Sequence, residues 1–380
     1  MKKYIIIAAA AIAAIACTKS ETVQNGREIT FQIAKNSVQT KASGEKYDTS
    51  IPFGTYAWFN NTDDFMVNEQ VGFASSVWKT VDHTFYWPKT GSISFISYSP
   101  FAGTSNTAGT VPVVTKNSIS YTGLTAGNDD IMYADRATCS ANVNEVTDSD
   151  TADSGFNGVP TVFHHALAKL SFKVKANFLE WDDANNGSHT EWEVTLNSFK
   201  IGGFKNTGDC TLNLNANGIN WDKPQTTVGS ENFNVWTNLS GATAEQELIP
   251  STSASGIVLT TTAQDLNPAA GFVIPQILEA SDPADPSKTV QTVHIVAHIK
   301  TTLSNGKVIN EPFDKVIDIS SISSCKAWEM NQNIVYTIKF KPTSADQNNP
   351  HYDDPNDVII TFDPAVAPWD NVDASATIQL

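Results

Sequence analysis

Hydrophobic and polar residues alternate in short bursts along most of this chain. In Glu28-Ile29-Thr30-Phe31-Gln32-Ile33-Ala34, the residues Ile29, Phe31 and Ile33 point one way and Thr30 and Gln32 the other. That is the period of a half-buried β-strand. Comparable β-prone segments span residues 54–59, 92–98, 162–175, 192–201, 257–262, 292–300, 335–340 and 358–362. Across 92–98, Ile93, Phe95 and Ser97 alternate with Ser94, Ile96 and Tyr98, which predicts a strand covered on both faces. Gly, Asn, Asp, Ser and Pro punctuate these segments, and almost nothing has the spacing of a long amphipathic helix. The expectation is an all-β fold built from sandwiches.

The segment around Ile29 has unusual neighbours. Met1-Lys2-Lys3 precedes an apolar run over residues 4–16. A charged start, an apolar run and small residues at its end read as an export signal. The run is short for a membrane span, which takes about 20 residues. Its end, Ala14-Ile15-Ala16-Cys17, is similar to a bacterial lipoprotein lipobox. That likeness implies acylation of Cys17, which becomes the mature N-terminus and brings membrane lipid in as a partner. Residues 1–16 are thus expected to be the signal and 17–27 a polar tether.

Polar stretches divide the remainder. Residues 135–158 hold Ser, Asp, Asn, Thr and Ala with hardly a large apolar side chain, and such a stretch buries too little to order itself well. The expected division is an N-terminal domain over 28–158, a C-terminal domain over 159–341 and a tail over 342–380. A loop at 280–288 carries Asp-Pro twice. The tail begins Asn-, Asp- and Pro-rich, then turns apolar in Val358-Ile359-Ile360-Thr361-Phe362, followed by Val366 and Trp369. This segment is strongly β-prone. Ile360-Thr361-Phe362 repeats Ile29-Thr30-Phe31, which raises the question of whether the two segments compete for one groove.

Charge narrows the function. The 380 residues carry a formal net charge of −16, and loss of the signal removes Lys2 and Lys3. An acidic chain argues against a nucleic-acid partner and suits a solvated surface protein. The cysteines, Cys17, Cys139, Cys210 and Cys325, form neither a CxxC pair nor a disulfide framework. The last three allow one bridge between two of them or three buried free thiols.

Little else asks for chemistry. His294 and His298 share a strand face opposite Val293, Ile295, Ala297 and Ile299, but no third ligand is evident for a metal. His164 and His165 point to opposite faces. The acidic pairs Asp129-Asp130, Asp182-Asp183 and Asp353-Asp354 lack the alternating oxygen ligands of a dedicated calcium loop. No hydrolase, metalloprotease, phosphate or dinucleotide motif stands in its structural context. The expectation is no catalytic residue, no cofactor and no metal. Trp78, Phe85, Tyr86 and Trp87 read either as a ring cluster for a ligand or as sandwich core.

Five phrases in order carry a family resemblance. They are Phe85-Tyr86-Trp87-Pro88 with Phe95-Ile96-Ser97-Tyr98-Ser99-Pro100; Asp129-Asp130-Ile131-Met132-Tyr133-Ala134; Phe163-His164-His165-Ala166-Leu167-Ala168-Lys169-Leu170-Ser171-Phe172; Phe272-Val273-Ile274-Pro275-Gln276; and Trp328-Glu329-Met330-Asn331-Gln332-Asn333-Ile334-Val335-Tyr336-Thr337-Ile338. Behind a lipobox, the set resembles the fimbrillin (Mfa-like) family of Bacteroidetes surface pilins. The resemblance implies two tandem transthyretin-like β-sandwich domains and an outer-membrane lipoprotein that passes into a fimbrium. It also implies a trypsin-like cut after a basic residue, loss of the first strand, and insertion of a neighbour's C-terminal strand into the vacated groove. The matching positions are the strand at Ile29, Phe31 and Ile33 within a removable segment 28–41, the bond Lys41–Ala42, and a donor with Ile360, Phe362, Val366 and Trp369. The sequence departs from the Porphyromonas pattern, where the cut follows Arg: position 41 is Lys, and a cut at Arg27 leaves the strand attached.

Strand exchange is physically sound in its own right. An open sheet edge presents unpaired N–H and C=O groups beside an uncovered apolar face, and an added strand pairs the one and fills the other. Head-to-tail contacts of this kind do not close, so they build filaments. The leading expectation is a polymerising, adhesive subunit whose partners are its own copies or other fimbrillin subunits. The alternative is an unprocessed surface lipoprotein serving as anchor, tip adhesin or glycan-binding module, with a host or bacterial surface ligand. A glycosidase would need two carboxylates flanking a cleft, and no motif points to them.

Overall fold

The computed structural model describes residues 28–33, 47–88, 90–102, 111–127, 129–140, 158–161, 163–182, 187–214, 236–249, 256–266, 271–285, 289–321, 325–341 and 359–368. Their regular structure is strand, apart from a 3-10 turn at Ile319–Ser321. The fold is all-β, as expected.

Alternation drives the strands of the C-terminal part. Ala168–Ala176 buries Ala168, Leu170, Phe172, Val174 and Ala176 and leaves the residues between them half-buried. Thr292–Leu303 likewise buries Val293, Ile295, Ala297 and Ile299. One sheet here runs in the order Gln264–Asp265, Ala168–Ala176, Gln332–Lys341, Ile359–Pro368; another runs Glu180–Asp182, His189–Gly202, Thr292–Leu303, Val308–Asp318. Their apolar faces share one core. Phe172 meets Phe199 at 5.4 Å between ring centroids, and Phe313 meets Phe340 at 6.1 Å.

The N-terminal part is organised by a nine-stranded sheet. Its order is Val159–Thr161, Thr30–Ile33, Val77–Thr80, Asp63–Ala74, Phe53–Phe59, Ser92–Ser99, Met132–Ala134, Phe163–His165, with Ala137–Ser140 also paired to Ser92–Ser99. Ser92–Ser99 is covered on both faces, as its pattern predicts. Ile93 and Phe95 join a core with Ile29, Phe31, Phe53 and Trp78. Ile96 and Tyr98 join a second core with Ile119, Tyr121, Cys210 and Leu212.

That second core lies against a four-stranded sheet in the order Thr237–Ala242, Lys205–Asn213, Ser118–Thr125, Val113–Thr115. This sheet takes strands from either side of residue 158, the expected end of the first domain. Val159–Thr161 and Phe163–His165, just beyond that residue, complete the nine-stranded sheet.

The strand predicted over 162–175 is split in two. Phe163–His165 lies in the nine-stranded sheet and Ala168–Ala176 in a C-terminal one. The chain turns between them at Ala166 and Leu167, both fully buried. Buried backbone polar groups need partners, and three remote segments supply them. Ala166 N–H donates to the Ile131 carbonyl at 2.8 Å, and Asn331 N–H donates to the Leu167 carbonyl at 3.1 Å. The Trp236 indole N–H donates to the Ala166 carbonyl at 2.9 Å. A turn held this way needs neither Gly nor Pro, so the apolar run conceals it.

Candidate functional site

The strand Thr30–Ile33 is short, yet it sits inside the sheet rather than at its edge. Phe31 pairs with Val159 in parallel register and with Trp78 in antiparallel register. Ile29 N–H donates to the Phe85 carbonyl at 2.8 Å, and Glu28 bridges to Tyr86. Ile29 is 0% and Phe31 3% exposed, and Ile33 packs half-buried on the same core. The Phe31 ring meets Phe53 edge-on at 5.6 Å and Phe95 at 5.8 Å. Fully burying a side chain of this kind is worth about 1.5–3 kcal/mol, so these three residues hold the segment in place. Without it, Val77–Thr80 would present an unpaired backbone row on that side, and Val159–Thr161 would lose its sheet neighbour.

The chain re-enters this core at Tyr47. Its ring stacks on Phe163 at 4.9 Å and meets Trp78 edge-on at 5.4 Å, and its hydroxyl lies 2.7 Å from Ser99 Oγ. Burial raises the Tyr47 phenol pKa, and the Ser99 hydrogen bond opposes the rise. Sequence reasoning missed Tyr47 as a part of this core and Val159–Thr161 as the sheet neighbour of the first strand. The available signal for Tyr47 was a lone aromatic in the polar run 35–50. Cys17, Lys41, Ala42 and Trp369 lie outside the described residues.

The tail strand Ile359–Pro368 lies antiparallel along Gln332–Lys341, with Ile360 opposite Phe340, Phe362 opposite Ile338 and Val366 opposite Ile334. It ends its sheet. An edge position suits Pro364 and Pro368, which have no N–H to give to a ladder. The first strand and the tail strand thus occupy different sheets.

The remaining candidates resolve into packing and surface pairs. Trp78 and Trp87 are core residues, Phe85 packs partly against the same core, and Tyr86 is exposed. His164 Nε2 lies 3.0 Å from an Asp135 carboxylate oxygen, and His165 Nδ1 lies 2.7 Å from one of Asp130. His294 sits between Asp314 and Glu245, at 2.8 and 3.3 Å. Among the described residues, no group of three or more His, Cys, Asp or Glu is placed to hold a metal ion. Cys139, Cys210 and Cys325 are buried thiols outside any disulfide, and burial pushes the Cys210 thiol up to about 12.

The chain belongs to the fimbrillin-like family, which it matches over residues 40–369. A fimbrial protein from Bacteroides vulgatus superposes with a TM-score of 0.54 at 14% identity, covering 90% of this chain and 99% of that one. A candidate cell adhesion protein from Bacteroides uniformis gives a TM-score of 0.44 at 15% identity over 90% and 99% of the two chains. A fimbrilin from Porphyromonas gingivalis gives 0.34 at 13% over 91% and 98%. At 14% identity the likeness to the Bacteroides vulgatus protein is one of fold. No curated protein sequence matches the chain.

Proposed function

We propose that this protein is a subunit of a cell-surface fimbrium, lipidated at Cys17, which assembles at the outer membrane by strand exchange and contributes to adhesion. A cut after Lys41 releases the segment carrying Ile29, Phe31 and Ile33. The groove between Val77–Thr80 and Val159–Thr161 then takes the tail strand of a neighbouring copy or of another fimbrillin subunit, with Ile360, Phe362, Val366 and Trp369 as its apolar side chains. Lipid on Cys17 holds the uncut chain at the membrane.

One observation carries this reading. The first strand is four residues long, is paired on both sides and buries Ile29 and Phe31 in the core. Losing so short a strand leaves a slot lined by unpaired backbone and apolar side chains, which is what an incoming strand needs.

Limited digestion of the full-length chain, purified in detergent, with a Lys-specific protease tests it. Cleavage after Lys41 should produce a ladder of polymers, and removal of residues 358–380 should abolish the ladder while the monomer stays folded. Cleavage there with persistent monomers would overturn strand exchange and favour a lipid-bound anchor or adhesin.

A further inference from the structure

The walls of the first-strand groove are of unequal length. Phe31 stands opposite Val159 and Ile33 opposite Thr161. Side chains on a strand face one way at every second residue. Continued in that register, an inward place beyond Ile33 would fall opposite Phe163, which itself pairs with Ala134, and the Tyr47 ring stacks on Phe163 at 4.9 Å. Tyr47 is fixed from three further directions: Trp78 at 5.4 Å, Phe53 at 6.3 Å and the Ser99 hydroxyl at 2.7 Å. Tyr47 follows Lys41 in sequence, so a cut there leaves it with the body of the subunit.

We propose that Tyr47 and Phe163 form an end stop that fixes the register of a strand entering this groove. The proposal rests on the strand-exchange reading above. With the stop in place the groove admits inward side chains only where Ile29, Phe31 and Ile33 now stand. The tail offers a matching run in Val358, Ile360 and Phe362; the next residue on that face, Pro364, has no N–H for the ladder, and Val366 and Trp369 then lie past the stop rather than in the groove. A single slip would bring the other face of the tail inward, and a slip of two would drive a side chain into the Tyr47 ring. Tyr47 acts here as a positioning residue: it sets where the incoming strand stops, and the core side chains supply the binding.

Disulfide trapping reads this register directly. Lys79 stands opposite Thr30 on the groove wall, and cross-strand neighbours at that spacing can be bridged. Full-length chains carrying Lys79→Cys are mixed with chains carrying Ile359→Cys, Thr361→Cys or Asp363→Cys, and each mixture is cut with the Lys-specific protease. With Tyr47 present, one of the three tail positions should crosslink to position 79. With Tyr47→Ala at least two should crosslink, while Tyr47→Phe, which keeps the ring, should return to one. Phe163→Ala removes the other half of the stop, should also give two or more, and serves if Tyr47→Ala does not fold. A Tyr47→Ala or Phe163→Ala ladder crosslinked at the same single position as its parent would overturn the end stop and leave exchange standing. A parent that is cut yet forms no ladder would instead overturn the exchange reading itself.

Discussion

Gly54 lies directly against the ring of Tyr98, its cross-strand partner. A Cβ on Gly54 would come within 2.3 Å of Tyr98 Cε1. The ring cannot swing aside freely, because its hydroxyl is 2.5 Å from Asn68 Oδ1 and 3.2 Å from the Ala102 carbonyl. Gly54→Ala should therefore cost about 1–3 kcal/mol through overpacking. In a Tyr98→Ala background most of that cost should vanish. A double-mutant cycle in urea measures the coupling; equal costs in both backgrounds would refute the steric account.

Phe31→Ala should loosen the first strand before the rest of its sheet. Truncating a buried Phe costs about 3–5 kcal/mol, and here the segment has few other anchors. The reporter is the Ile29 amide, which donates to the Phe85 carbonyl at 2.8 Å. Its hydrogen exchange should accelerate, while the amides of Ser92–Ser99, covered on both faces, change much less. Uniform acceleration of both would mean that the strand opens only with the whole sheet.

Legibility in the sequence followed the covering of each strand. Where one face is buried, as along Ala168–Ala176 and Thr292–Leu303, the pattern has period two and reads directly. Asp63–Ala74 carries no clean alternation, because its pairing with Phe53–Phe59 shifts register and Asn68 has φ +50°. Val308–Asp318 contains Pro312, which argues against a strand, yet it lies at a sheet edge where Pro is tolerated. The pairing of Lys205–Asn213 with Ser118–Thr125 is a long-range choice with no local signal. The same split governs the surroundings of the first strand. Ile29, Phe31 and Ile33 announce themselves, whereas Tyr47 and Val159–Thr161 join them only once distant segments meet.

His294 should keep its proton to higher pH in the folded chain than in the unfolded one. Hydrogen bonds donated to the Asp314 carboxylate and then to that of Glu245 raise its pKa above 6.5, with Lys200 reaching Glu245 at 3.6 Å. A raised folded value gives stability that is fully present below the unfolded pKa of about 6.5 and is lost as pH rises through the folded pKa. NMR titration of the imidazole should show the raised midpoint, and Asp314→Asn should lower it. His294→Gln should flatten that part of the stability profile; an unchanged slope would place the proton uptake elsewhere, with His189 next in line because Asp182 and Glu191 raise it in the same direction.

The thiols offer a count that bears on both the fold and the anchor. Cys139, Cys210 and Cys325 are buried thiols outside any disulfide, at 0%, 1% and 6% exposure. Burial pushes Cys210 to about 12 and raises Cys325 as well, so the reactive thiolate is scarce at neutral pH. None of the three should react with a thiol reagent in the folded chain, and all three should react after unfolding without reductant. Cys17 supplies the contrast. Acylation through its sulfur removes that thiol, so protein taken from the native membrane should give three reactive groups on unfolding. Chain made without lipid attachment and with the signal retained should give four. Four from native membranes would refute lipidation at Cys17, and two or fewer from lipid-free chain would require a disulfide that the buried thiols do not form in this fold.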